Sequence, residues 1–259
     1  KGNEENNFGT DEFIKFCRNI GCEPMICINF GSGTPEEAAN WVEYCNGGID
    51  TPYGKLRAEN GNPEPYNVKY WEIGNEIFGN WETGHCTVDE FAERYMEFYI
   101  AMKEKDSSIE IFACGGDGNS LSQEWNDILL KKTNGMLDYI TLHCYAPQIG
   151  NKPVDNRQLY YGTVGAVCKY ETLINDTRMT IKKHAADRNI RIAVTEWNTM
   201  YNNSSFREHT VEAAVFNAGM LNMFIRNCDI IHVCNFSDLV NGWQGGCIRS
   251  DRGNVYFTP

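Results

Sequence analysis

Val68-Lys69-Tyr70-Trp71-Glu72-Ile73-Gly74-Asn75-Glu76 and Ile190-Arg191-Ile192-Ala193-Val194-Thr195-Glu196 follow one pattern. Each is an apolar run of strand length that closes on a glutamate. Near-continuous apolar runs suit parallel strands covered on both faces. Working outward, helical and strand patterns alternate on either side. A helix from Thr10 to Ile20 is followed by a strand from Glu23 to Asn29, the loop Gly31-Ser32-Gly33 and a helix opened by Thr34-Pro35-Glu36-Glu37. In that opening Thr34 can accept from the Glu37 amide while Glu37 reaches back, and Pro35 suits the first turn. The loop lacks the lysine and glycine spacing of a phosphate cradle.

A polar connection from Gly47 to Asn67, rich in Gly, Pro and Asn, leads to the strand from Val68 to Gly74. Connections of that length are often functional. The pattern continues with a helix from Val88 to Lys105, a strand from Ile109 to Ala113 that runs into Gly115-Gly116-Asp117-Gly118, and a helix from Leu121 to Lys132. A strand from Leu137 to Leu142 ends at His143-Cys144-Tyr145. A loop from Ala146 to Tyr161, a helix from Thr163 to Asp187, the strand from Ile190 to Val194, a helix from Arg207 to Arg226 and a strand from Ile230 to Cys234 complete the order. Six strands alternating with six helices predict an α/β fold with parallel strands and helical crossovers. No domain boundary is visible, so residues 1–259 read as one domain. A closed (β/α)8 TIM-type barrel would need two more βα units before Thr10. The expectation is therefore a partial barrel lacking its first two units, its open edges covered by an upstream segment or a partner.

The 259 residues carry a formal charge of -12, which disfavours nucleic acid and anionic membranes as partners. No apolar run approaches the ~20 residues of a membrane span. Eleven cysteines are scattered without a C-x-x-C pair, and no metal-ligand spacing involves them or His85, His184, His209 and His232. Neither a metal nor a cofactor is expected. Cys27, Cys114, Cys144 and Cys234 lie in or beside apolar strands, where a free thiol acts as a small hydrophobe. This usage favours a reducing cytoplasm or an anaerobic source over a disulfide-rich secreted scaffold. The chain begins at Lys1 rather than Met and stops inside Tyr256-Phe257-Thr258-Pro259, so the ends read as cut and secretion stays open. The Asn-x-Ser/Thr sites at Asn175, Asn202, Asn203 and Asn235 matter only in a secretory setting. A homo-oligomer is compatible with the sequence.

At the ends of parallel barrel strands side chains converge on one face. Glu76 and Glu196 are candidates to meet there, one carboxyl protonated to act as acid, the other ionised to act as nucleophile on a glycosidic bond. Strand parity puts Glu72 on the face of Glu76, pointing inward and in need of a partner. Tyr145 could donate its hydroxyl to a carboxylate, His143 could bind a sugar hydroxyl, and Asn75 could bond the sugar 2-hydroxyl. Trp197 is a further candidate for substrate contact.

Tyr70-Trp71-Glu72-Ile73-Gly74-Asn75-Glu76 resembles the acid/base strand of glycoside hydrolase family 51, the α-L-arabinofuranosidases. The likeness takes in Phe8-Gly9-Thr10-Asp11-Glu12-Phe13, Asn29-Phe30-Gly31-Ser32-Gly33-Thr34-Pro35-Glu36-Glu37, Trp41 to Gly47, Lys55 to Gly61, His143-Cys144-Tyr145 and Thr195-Glu196-Trp197-Asn198. It implies a (β/α)8 barrel with a retaining mechanism, Glu76 as acid/base and Glu196 as nucleophile. Asn75 would contact the 2-hydroxyl, with His143 and Tyr145 lining the sugar subsite. The implied substrate is an arabinose-containing oligosaccharide or polysaccharide. Two departures stand out. Thr195 replaces the usual Asp before the nucleophile, and Asn235-Phe236-Ser237-Asp238 replaces Asn-Leu-Ala-Gln, which puts Asp238 at a substrate-binding position. Alternatives are a β-xylosidase or endoglucanase of the same barrel type, or a carbohydrate-binding barrel fragment without catalysis.

Overall fold

A computed structural model describes residues 7–116, 122–147, 154–201, 207–242 and 246–258, except for the side chain of Glu208. Asp117, Gly118 and the sites at Asn202 and Asn203 lie outside the described residues. The chain divides into two compact units, Lys1–Cys114 with Met136–Asp138, and Gly115–Gly135 with Tyr139–Pro259.

The first unit holds α1 (Thr10–Asn19), β1 (Met25–Ile28), α2 (Pro35–Asn46), α3 (Pro52–Glu59), β2 (Tyr70–Ile73), α4 (Val88–Lys105) and β3 (Glu110–Ala113). β2 pairs in parallel with β1 on one side and β3 on the other, Met25 beside Tyr70 and Tyr70 beside Glu110. α2 opens as its sequence dictates: Thr34 Oγ1 accepts from the Glu37 amide at 3.1 Å, and Glu37 Oε2 accepts from the Thr34 amide at 2.8 Å. α4 is bound to the sheet side by Phe91, Tyr95, Phe98 and Met102, all buried. The Phe30 ring meets Phe91 at 5.0 Å and Phe98 at 5.2 Å between centroids. Burial of each such side chain stabilises the fold by roughly 1.5–3 kcal/mol.

The connection from Gly47 to Asn67 is not an open loop. It contains α3, capped by Thr51, and it wraps the fully buried guanidinium of Arg57. That group donates to the carbonyls of Tyr44 (2.7 Å), Gly47 (2.8 Å), Asn62 (3.0 Å) and Pro63 (3.1 Å). A buried cation needs such partners, so the length of the segment serves packing.

The second unit holds α5 (Ser122–Lys132), β4 (Tyr139–Ala146), α6 (Asn156–His184), β5 (Arg191–Thr199), a 3-10 turn (Arg207–His209), α7 (Val211–Arg226), β6 (Ile231–Phe236), β7 (Ile248–Asp251) and β8 (Asn254–Phe257). β5 lies between β4 and β6, parallel to both. α6 starts at Asn156 rather than near Thr163, because Asp155 accepts from the Gln158 amide at 2.8 Å and Gln158 reciprocates. β4 and β5 extend beyond Leu142 and Val194: the polar residues that end the apolar pattern stay in the ladder. β7 and β8, unforeseen, form an antiparallel hairpin. Its tip has two consecutive residues with positive φ, Arg252 at 46° and Gly253 at 86°, as a twisted two-residue turn requires.

All eleven cysteines are free; Cys114 and Cys144 are buried, but Cys27 and Cys234 are exposed. The expected burial fails for these two because Cys27 points to the face of β1 opposite the buried Ile26 and Ile28, and β6 is buried only at Ile231. Among the described residues no helix is long and apolar enough to cross a membrane.

Candidate active site

In the first unit, β2 ends in a turn that requires a glycine. Gly74 has φ +82°, and a Cβ there would lie 2.8 Å from Ile77 Cγ1 and 3.4 Å from Phe30 and Phe91. Two residues on, Glu76 itself occupies the left-handed region at φ 44°. A non-glycine residue in that region is uncommon and is often found at functional positions. The Glu76 side chain is half-buried, and its Oε2 accepts from the indole N–H of Trp81 at 2.7 Å. Asn75 Nδ2 lies 3.5 Å from Glu82 Oε1. The segment following Glu76 is held against the loop after β1 through a glycine pair: a Cβ on Gly31 would fall 1.9 Å from the Thr83 carbonyl oxygen, and one on Gly84 would fall 2.3 Å from the Gly31 oxygen. Glu72 is buried, as parity requires. Burial raises the Cys114 thiol well above its ordinary value, and the charges of Glu72 and Glu76 add to this.

In the second unit a bulge in β5 sets the chemistry. Leu142 pairs with Val194 but His143 pairs with Glu196, so Thr195 is the extra residue. Its hydroxyl lies 3.1 Å from His143 Nε2. The other imidazole nitrogen, Nδ1, is 3.8 Å from Glu196 Oε2. Tyr145, two residues beyond His143 and so on the same face, places its hydroxyl oxygen 2.6 Å from the same Glu196 oxygen. Burial, then the negative charge of Glu196, raises the Tyr145 phenol far above its ordinary value. The phenol therefore keeps its proton and can only donate to that carboxylate, a charge-assisted bond suited to an ionised, oriented group.

On its other side the Tyr145 hydroxyl is 2.7 Å from Ser237 Oγ, which is 3.0 Å from Asp238 Oδ1. Asp238 is half-buried, and β4, β5 and the residues that follow β6 thus bring His143, Tyr145, Glu196, Ser237 and Asp238 together within one unit. Trp197 is buried, its ring 5.2 Å from Phe224 and 4.9 Å from Phe236 between centroids, and its indole N–H meets no acceptor among the described residues. Sequence reading overlooked Trp81 and Ser237, and it took Thr195 only as a departure from the family pattern, with no partner. Trp81 had a signal: it follows Glu76 by five residues in Gly79-Asn80-Trp81-Glu82, where a glycine-framed aromatic has few core partners. The bulge at Thr195 had none.

A family model described as the alpha-L-arabinofuranosidase 1 domain matches residues 1–162, and one described as the alpha-L-arabinofuranosidase C-terminal domain matches residues 195–259. A probable alpha-L-arabinofuranosidase C of Aspergillus terreus is 34% identical over 258 residues, covering 93% of this chain and 50% of the relative. The crystal structure of an alpha-L-arabinofuranosidase from Thermotoga maritima, an arabinose complex, aligns with a TM-score of 0.87 and 37% identity over 98% of this chain and 51% of that one. The thermostable GH51 alpha-L-arabinofuranosidase from Thermotoga petrophila aligns with a TM-score of 0.86 and 37% identity, with the same coverage. The chain thus spans about half the length of these relatives.

Proposed function

This chain belongs to the α-L-arabinofuranosidases of glycoside hydrolase family 51, and from that membership we propose that it carries the catalytic machinery of a retaining hydrolase. The substrates would be terminal α-L-arabinofuranosyl groups on plant polysaccharides or oligosaccharides. Its six parallel strands would be the third to eighth strands of a (β/α)8 barrel, with the first two βα units supplied from outside these residues. Glu196 and Glu76 would act on the same glycosidic bond. The Glu196 carboxylate attacks the anomeric carbon as Glu76 gives its proton to the departing oxygen, leaving an ester between the sugar and Glu196. Glu76 then takes a proton from water, and the water oxygen displaces Glu196 from the anomeric carbon.

The observation that carries this reading is the 2.6 Å contact from Tyr145 to Glu196 in the C-terminal halves of two neighbouring parallel strands, in a chain of this family. Trp81, donating to Glu76 Oε2 at 2.7 Å, supports the acid/base role by fixing that carboxyl. Asn75 and His143 are the sugar-hydroxyl ligands of the proposal. Asp238 adds an acceptor that makes glycone specificity worth testing on aryl arabinofuranosides, xylosides and glucosides. Trp197, packed between two aromatic rings, would act as the wall behind Glu196 rather than as a stacking platform. The eleven free thiols support a reducing compartment such as the cytoplasm.

The test is kinetic. Glu196→Ala abolishes turnover even of activated aryl glycosides. Glu76→Ala retains part of the rate when the leaving group is good, and azide restores more by replacing the water whose activation has been lost. Full rates in both variants would refute the assignment.

A further inference from the structure

Resting on that reading of Glu196 as nucleophile, we infer that Ser237 is a positioning residue for it, acting through Tyr145, and that Asp238 decides which way the Ser237 proton points. The chain of contacts is Glu196 Oε2 to Tyr145 Oη at 2.6 Å, Tyr145 Oη to Ser237 Oγ at 2.7 Å, and Ser237 Oγ to Asp238 Oδ1 at 3.0 Å. These are three contacts between oxygens. Two hydroxyls lie between two carboxylates, and each hydroxyl has one proton to give. With both carboxylates ionised, one contact must do without.

The shortest contact takes the Tyr145 proton, because donation to an ionised carboxylate is the stronger bond. Tyr145 can then only accept from Ser237. If Ser237 gives its proton to Tyr145, the phenol is polarised and donates more strongly to Glu196. If Ser237 gives it to Asp238 instead, two oxygens face each other at 2.7 Å with nothing between them, and Tyr145 is drawn away from Glu196. Asp238 thus competes with Tyr145 for a single proton. A donor brought to Asp238, such as a sugar hydroxyl, weakens its pull on the Ser237 proton and shifts Ser237 toward Tyr145. Occupancy of the sugar subsite would in this way tighten the hold on the nucleophile.

The fold fixes the geometry this needs. Ser237 is buried, its amide donates to the Trp197 carbonyl at 3.2 Å, and its own carbonyl accepts from the Asn198 side-chain amide. Both partners directly follow Glu196 on β5, so the serine is registered against the nucleophile's own strand. Asp238 is confined from the far side, since a Cβ on Gly242 would lie 2.0 Å from its Oδ2.

The test reads Tyr145 directly. The ultraviolet Raman doublet of a tyrosine reports whether its oxygen donates, accepts or does both. It is isolated for this residue by subtracting the spectrum of Tyr145→Phe. The expected signature is that of a phenol doing both. In Ser237→Ala it moves to donor only, and in Ser237→Thr it returns. In Asp238→Asn, which removes the competing carboxylate, the acceptor character grows. On an aryl arabinofuranoside, Ser237→Ala lowers kcat roughly two- to tenfold, moves KM less, and has no further effect in a Tyr145→Phe background. An unchanged doublet in Ser237→Ala, or the same loss of kcat with Phe at 145, overturns this inference alone. Full turnover by Glu196→Ala overturns the parent reading and this inference with it. If the chain turns over no substrate, the doublet decides.

Discussion

Tyr145 and Glu196 meet across neighbouring parallel strands, the phenol oxygen 2.6 Å from carboxylate Oε2, although their backbone register carries a bulge. The extra residue Thr195 is what sets Glu196 opposite His143; a one-residue slip at that point would turn the carboxylate to the other face of the strand. Removing the donor tests the contact. Tyr145→Phe keeps the ring and leaves its carbonyl bonded to Tyr170. It should lower kcat by about tenfold to a hundredfold, the value of one hydrogen bond to a charged group, with thermal stability nearly unchanged. Steady-state kinetics and a melting curve check both.

Trp81→Phe removes the N–H that reaches Glu76 Oε2 while keeping an aromatic ring near Phe78, 6.1 Å away between centroids. An acid matters most when the leaving group is poor. The variant should therefore lose more rate on alkyl or oligosaccharide leaving groups than on nitrophenyl ones, and rates measured across a leaving-group series should show a steeper dependence on leaving-group basicity than in the parent chain.

Gly74→Ala forces a side chain into positive φ and to within 2.8 Å of Ile77. A loss of about 1–3 kcal/mol is expected, seen as an earlier denaturant midpoint. Gly162→Ala is the control: it lies within α6 with nothing within 4 Å of the new methyl. It should gain about 0.5–1 kcal/mol. Equal effects at the two sites would contradict the strain at the β2 turn.

Asp127 receives Lys183 Nζ at 2.6 Å and His184 Nε2 at 2.8 Å. The Lys183 bond, followed by that of His184, holds its carboxyl below the ordinary value. A lowered folded value means that the unfolded chain takes up the proton first as pH falls. The stabilisation is then complete above the unfolded value of about 3.9 and disappears as pH drops through the lower folded one. Melting temperature should fall more steeply below about pH 4 in the parent chain than in Asp127→Asn, and added salt should narrow the gap because the pair is near the surface.

The alternation of elements was readable because apolar periodicity and helix caps are local: Thr34 with Glu37 predicts its own hydrogen bonds. The apolar runs that lead to the two glutamates were readable for the same reason, although β2 stops at Ile73, before Glu76, and β5 runs on past Glu196 to Thr199. What sequence concealed depends on partners distant along the chain. Arg57 looks like a surface residue until four carbonyls from both sides of α3 close on it. The bulge at Thr195 is a property of the pairing between β4 and β5, not of either strand. Ser237 reads as an unremarkable loop residue, and it gains meaning only through the phenol of Tyr145, remote in sequence. The hairpin of β7 and β8 was missed although Arg252-Gly253 between two short β-prone runs marks such a turn.

The central claim is that Glu196 forms the covalent bond to the sugar while Glu76 moves the proton. A fluorinated or aziridine arabinofuranose inactivator, followed by digestion and mass spectrometry, tests it most directly. The account predicts one adduct per chain, on the peptide containing Thr195-Glu196-Trp197, and none in Glu196→Ala. Turnover of substrate with no adduct, or an adduct on Glu76, would contradict it.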